Sequence, residues 1–432
     1  MADREHDLVL LGATSFVGAL TAAHLARYAP PGTRVALAGR DRERLARVRA
    51  GLPAPADAWP LLVVDVTDAP ALRRVAAATT ALVSTVGPYA RRGLPVVEAC
   101  AAAGTHYADL SGELSFVRAA IDAADARARA TGARLVHACG YDSVPSDLGV
   151  HLLHRAAVAD GEPADLTDVR ALATARGGVS GGTVASVLGE VDAVRSDAAA
   201  RRLHADPYAL SPDRDAEPGT PQPRLATAPH REAGRWAAPF VMAPFNARVV
   251  RRSNALTGWA YGRGLRYAEH VDGGRGASGL LTAALVAGGT ALGAAALALP
   301  PTRGLVERVL PALGDGPDAA TRASGWFRHR FLATTADGRR YAARVQASGD
   351  PGYAATAVML GEAALALALD GAARDGAARD GAAVPGEPAP DGTVLPDRAG
   401  SLTPATALGD VLVARLRARG VHLDAVRVPG AP

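Results

Sequence analysis

Asp7-Leu-Val-Leu-Leu-Gly12-Ala-Thr-Ser-Phe-Val-Gly18 is an apolar run that breaks at a glycine and resumes as an Ala- and Leu-rich helical stretch over 19–28. A strand that runs through a tight turn into a helix offers the helix N-terminus to a dinucleotide pyrophosphate. Gly12 permits the turn, and Gly18 lets the helix pack on the strand. Ser15 stands where a third glycine would let the backbone approach phosphate; it is small, and its hydroxyl is able to donate. Working outward, 34–39, 61–65 and 81–85 read as further strands, with helices from about Asp41 and over 68–78 between them. Each strand is apolar throughout, which indicates a parallel sheet covered on both faces. The fold class expected is α/β, a Rossmann-type doubly wound sheet.

The end of the second strand selects the cofactor. NAD-specific sites place an acid there for the ribose 2′-hydroxyl. Here the residues are Gly39-Arg40, with Arg44 one helical turn on. A guanidinium suits a 2′-phosphate, so NADP(H) is expected. Thr14, Ser15, Phe16 and Val17 would carry the pyrophosphate between Gly12 and Gly18. Asp65 and Val66 would flank the adenine. Thr85, Gly87 and Pro88 follow the next strand, at the carboxyl edge where open α/β sheets bind ligands.

Composition removes whole classes of chemistry. All 47 basic residues are arginine. Without lysine there is no Schiff base, no Walker-type phosphate loop, and no Tyr-x-x-x-Lys pair. The arginines are interspersed with acids, as in Asp41-Arg-Glu-Arg44, so the net charge of +4 is no nucleic-acid signal. Cys100 and Cys139 form no C-x-x-C pair; neither a disulfide framework nor a metal site is expected. The start, Met1-Ala-Asp-Arg-Glu-His-Asp, lacks the apolar core of a signal peptide. A cytoplasmic protein is expected, with peripheral contact at the inner face of the plasma membrane as an open alternative.

The domains are expected at 1–147, the NADP-binding unit; 148–370, a second α+β unit of mostly antiparallel sheet; 371–400, a linker; and 401–432, a helix docking back on the body. Phe327-Arg-His-Arg-Phe331 and 341–348 alternate as antiparallel strands do. Ser180-Gly-Gly-Thr183 heads a helix. The Ala- and Arg-containing pentad repeat at 371–380 marks the linker. Thr403-Pro404 caps and opens the last helix. Residues 276–302 carry no charge. As one helix they would be about 40 Å long, and four readings stay open: a membrane span, insertion at a membrane surface, a lid over an acyl chain, and a core helix.

Gly12-Ala-Thr-Ser-Phe-Val-Gly18, Thr85-Val-Gly-Pro-Tyr89, Tyr107-Ala-Asp-Leu-Ser-Gly112 and Gly140-Tyr-Asp-Ser-Val-Pro-Ser-Asp147 together resemble the saccharopine dehydrogenase-like proteins, and within them the trans-acting enoyl reductase branch. Arg251-Arg-Ser-Asn254, Gly349-Asp-Pro-Gly-Tyr353 and Leu402-Thr-Pro-Ala-Thr-Ala-Leu-Gly409 extend the likeness over nearly the whole chain. Ser15 departs from a pattern that often has glycine there. The resemblance implies an NADP-dependent reductase acting on an enoyl thioester carried by a polyketide synthase, in complex lipid biosynthesis. Two alternatives stand beside it: a saccharopine dehydrogenase-type oxidoreductase of a free small molecule, and a catalytically idle, membrane-associated nucleotide-binding protein. A homodimer is left open.

Enoyl reduction needs a hydrogen-bond donor for the enolate oxygen and a proton for the α-carbon. Tyr141 is the first candidate, oriented by Asp142 or Ser143. Tyr89 is the second. His106 and Asp109 come third, as a proton relay.

Overall fold

The computed structural model describes residues 4–177, 181–298, 316–370 and 394–429. The first sheet takes β1 (His6–Leu11), β2 (Val35–Gly39), β3 (Leu61–Val63), β4 (Thr79–Ser84), β5 (His106–Asp109) and β6 (Arg134–Val136). The second takes β7 (Leu166–Arg176), β8 (His230–Glu232), β9 (Arg235–Pro239), β10 (Arg266–Gly274), β11 (Trp326–Thr335) and β12 (Arg340–Ser348). The chain then returns to the first sheet with β13 (Gly400–Leu402) and to the second with β14 (His422–Val428). Helices that matter below are α1 (Phe16–Tyr28), α2 (Arg42–Ala50), α3 (Val144–Ala159), α4 (Ala243–Leu256), α5 (Gly276–Ala298), α6 (Thr356–Leu365) and α7 (Pro404–Ala418).

The chain forms two compact units: Met1–Ser111, Ala119–Gly140 and Thr356–Arg419 in one; Gly112–Arg118, Tyr141–Ala355 and Gly420–Pro432 in the other. In the first, the strands run parallel in the order β13-β6-β5-β4-β1-β2-β3. β1 and β2 are buried at every position, as the unbroken apolar runs require of strands covered on both sides. β5, which was not read as a strand, fills the place between β4 and β6.

The expected boundaries at 147/148 and 370/371 do not match this division. The chain leaves the first unit at Gly140 and re-enters it at Thr356. What draws it back is a buried polar knot. Glu362 on α6, only 1% exposed, meets His24 on α1 at 2.8 Å and Arg415 on α7 at 3.3 Å. Gly361 makes room for that histidine: a Cβ there would lie 2.4 Å from His24 Cδ2. α7 is capped by Thr403 with Pro404 in its first turn, as read from the sequence. Residues 401–432 are therefore a strand and a helix of the first unit followed by a strand of the second. The linker expectation at 371–393, Ser180 and residues 299–302 lie outside the described residues.

The second unit holds a seven-stranded sheet, β14-β12-β11-β7-β10-β9-β8, antiparallel except for β7 with β10. β11 alternates half-buried and buried residues along its whole length, the period-2 pattern of a sheet with one face on the core. α3 packs on that face. Its Gly149 is obligatory, because a Cβ there would come within 2.4 Å of the Phe331 ring.

Candidate active site

In the first unit, the turn after β1 is built by side chains that leave room for one another. Gly12 has φ +86°, and a Cβ on it would lie 2.7 Å from Thr85 Oγ1. A Cβ on Gly18 would lie 2.3 Å from the Gly12 carbonyl oxygen. Both glycines are thus needed for the backbone itself. Ser15 is the N-cap of α1, and its hydroxyl accepts from Gly18 N at 3.0 Å. Thr85 Oγ1 donates to Gly12 O at 2.9 Å, so the 3.0 Å contact between the two hydroxyls has Ser15 as donor. The Ser15 hydroxyl is therefore engaged within the turn, as donor to Thr85 and acceptor from Gly18 N. Thr14 Oγ1 borders the end of β2, 3.8 Å from a Cβ on Gly39.

At that end, Asp41 is spent on capping α2: its carboxylate accepts from the N–H groups of Glu43 and Arg44, both at 3.0 Å. Arg40 and Arg44 are exposed. The Arg40 charge reaches Asp65, whose carboxyl is held below the usual range mainly by the N–H and hydroxyl of Thr67. Val66 is buried beside it. A turn with room only for glycine, the N-terminus of α1 beside it and a guanidinium where an acid would be wanted for NAD fit NADP(H).

Tyr89 does not present its hydroxyl. It is buried, donates to Ser84 O at 3.0 Å and accepts from Leu110 N at 3.3 Å, tying the ends of β4 and β5 together. The His106–Asp109 relay does not form either. His106 Nδ1 accepts the Arg134 N–H, and burial pushes its pKa down to about 3. Asp109 instead bonds His137 Nδ1 at 2.8 Å and the N–H groups of Ser111 and Ala138.

Tyr141 belongs to the second unit, and there it heads a line of buried polar groups. Its hydroxyl is 3.1 Å from His329 Nε2, and His329 Nδ1 is 3.4 Å from Glu269 Oε1. Ser146 Oγ donates to Glu269 Oε1 at 2.9 Å, and Asn246 Nδ2 donates to Oε2 at 3.1 Å. His329, Glu269 and Asn246 are each at most 3% exposed. Burial, with the Glu269 and Asp142 charges, pushes the phenol pKa far above its ordinary value. Tyr141 thus keeps its proton at any physiological pH and is an acid, not a base. Neither Asp142 nor Ser143 orients it. Ser143 is the N-cap residue of α3 and donates to Asn246 Oδ1 at 2.9 Å; burial pushes the Asp142 carboxyl up to about 6.

His329, Glu269 and Asn246 were not singled out in the sequence. One signal existed: alternation in Phe327-Arg-His-Arg-Phe331 puts His329 inward between two aromatics. Arg251 and Asn254 serve structure. Arg251 donates to Pro207 O at 2.9 Å, and Asn254 to Gly262 O at 2.9 Å. Asp350 is buried and accepts from Tyr353 N and Ala354 N.

Residues 8–136 match the saccharopine dehydrogenase NADP binding domain. A trans-acting enoyl reductase of Mycobacterium ulcerans (strain Agy99) is 44% identical over 99% of both chains. One of Mycobacterium tuberculosis (strain ATCC 25618 / H37Rv) is 45% identical over 99% of both. A second protein of that strain, provisionally named a trans-acting enoyl reductase, is 48% identical over 98% of both. The solved saccharopine dehydrogenase (L-Glu forming) of Saccharomyces cerevisiae shares the fold, with TM-score 0.51 and 14% identity over 98% of this chain and 99% of that one. With an NADP-binding dehydrogenase domain and full-length likeness to these reductases, the chain belongs to the trans-acting enoyl reductase family of saccharopine dehydrogenase-like, NADP-dependent oxidoreductases.

Proposed function

We propose that the protein reduces the carbon–carbon double bond of an enoyl thioester carried on a separate polyketide synthase, during the assembly of a complex lipid. The observation that supports this reading is the line Tyr141–His329–Glu269. NADPH, when bound, supplies a hydride for the β-carbon. The chain's own part is to receive the charge that arrives on the thioester oxygen and to deliver a proton. His329 stands behind the phenol, with Nε2 3.1 Å from its oxygen and Nδ1 3.4 Å from Glu269 Oε1. The Tyr141 phenol, which keeps its proton, is the donor to the enolate oxygen. Donation by a preplaced, buried phenol stabilises that charge more than water does. After the phenol has given up its proton, a solvent proton passed through His329 restores it.

NADPH oxidation should be followed with a short enoyl thioester on a carrier protein, with the same chain as a free thioester, and with saccharopine. Turnover of the carrier-bound chain above the other two is expected. Turnover of saccharopine alone would sink the reading. Tyr141→Phe should lower single-turnover reduction about 100-fold or more while leaving NADPH affinity unchanged. A variant as fast as the parent would make Tyr141 a wall of the pocket.

A further inference from the structure

The structure assigns a second site, away from the Tyr141 line: a divalent transition-metal site of the zinc class, formed by His230, Glu232 and His270 at the edge of the second sheet. His230 and Glu232 lie on β8, and His270 on β10. β9 separates them, but its residue at the crossing is Ala237, which pairs with both His230 and Asp272. Paired residues point to the same face of a sheet, and an alanine there leaves the space above β9 open. One ligand atom from each of the three residues lies within 4.8 Å of the others.

The two rings meet edge to face, with centroids 4.5 Å apart. His230 Nδ1 is 3.3 Å from Ala228 O. Only an N–H can serve that carbonyl, and in the neutral ring this places the lone pair on Nε2, the arrangement that orients metal-bound histidines. His270 is the independent pointer. It is 95% buried, taking its exposure of 5% from the whole. Among the described residues its Nδ1 has no hydrogen-bond partner, and Nε2 stops 3.8 Å short of Glu232 Oε2. A buried imidazole left unbonded is costly unless something binds it. Arg170 approaches Glu232 to 3.7 Å, but Asp168 holds it with two bonds of 2.7 and 2.8 Å. Glu232 therefore retains ligating capacity.

Two imidazoles and one carboxylate suit zinc and its neighbours, not magnesium or calcium. Bond lengths of about 2.0–2.2 Å require a small inward rotation of His230 and Glu232, which are half-buried on a three-residue edge strand. The ion would tie β8 directly to β10 and leave a position open to water. No motif announces such a site, because the ligands come from segments that only the hairpin and the sheet bring together.

The test uses the full chain without a polyhistidine tag, stripped with a chelator. Zinc chloride is titrated by calorimetry, and thermal unfolding is followed with zinc and with magnesium. One zinc per chain is expected, with a rise in Tm of about 2–4 °C or more and none from magnesium. His230→Ala and Glu232→Gln should each weaken zinc binding at least about tenfold. NADPH affinity equal to the parent's shows that these two variants are folded. Absence of saturable zinc binding in the parent, or equal binding by the parent and the double variant, overturns the site.

Discussion

At the scale of single residues, Arg40 and Asp142 make opposite uses of charge. Arg40 is exposed at the end of β2, where a ligand phosphate can reach it. Arg40→Ala should weaken NADPH binding by about 1.5–3 kcal/mol, the usual worth of a bond to a charged group, and leave NADH binding unchanged. Fluorescence titration with both cofactors checks this; an equal loss for both would assign Arg40 no part in the choice. Asp142 is a carboxyl whose folded pKa is raised to about 6. The folded state therefore holds its proton more tightly than the unfolded chain between pH 4 and 6. Stability falls as pH rises through that window, and the cost is complete above it. Asp142→Asn should remove the dependence and raise stability by up to about 3 kcal/mol above pH 6, with no gain below pH 4. Urea unfolding at pH 4 and pH 8 reads the difference; a gain equal at both would contradict the cause given.

At the scale of elements, α5 is the exception to the rule that apolar residues go inside. Only a narrow stripe of it is covered: Ala283 and Ala287 are buried, where the helix packs on β9 and β10. Leu281, Leu285 and Leu292, spaced to share one helical face, stand 62–72% exposed. The core-helix reading of this segment is thereby corrected. Among the described residues one other helical stretch is long and apolar enough to span a bilayer, Pro351–Asp370, and it is mostly buried. We propose that the α5 leucines rest on a membrane surface. Exchange of the three for glutamine should abolish flotation with liposomes and leave NADPH binding intact. A parent protein that does not float would refute the proposal.

At the scale of the whole molecule, the return of 356–419 to the first unit rests on Glu362. Removing Glu362 takes the carboxylate from His24 at 2.8 Å and from Arg419 at 3.3 Å, while Arg415 keeps Asp370 at 2.6 Å. Glu362→Ala should therefore cost about 3 kcal/mol, seen as a lower urea midpoint for loss of NADPH binding. A shift of less than about 1 kcal/mol would mean that apolar packing of α6 alone holds the segment.

The Gly12–Gly18 turn, the apolar strands and the cap at Thr403 were legible in the chain because each is local: period, turn chemistry and capping act over a few residues. The choice of NADP-binding domain was legible for the same reason, since its opening is one strand, one turn and one helix. What joins distant segments was not. β5 has four residues, too few to show a period. The knot at Glu362 pairs positions 338 apart in the chain, and the partner of Tyr141 lies 188 residues away. A side chain's hydrogen-bond partner is set by sheet register and helix packing, which no short window of sequence contains. The presence of Tyr141, His329 and Glu269 was written in the sequence; only the tertiary structure brought them into line, because burial left each polar group to find its partners among the others.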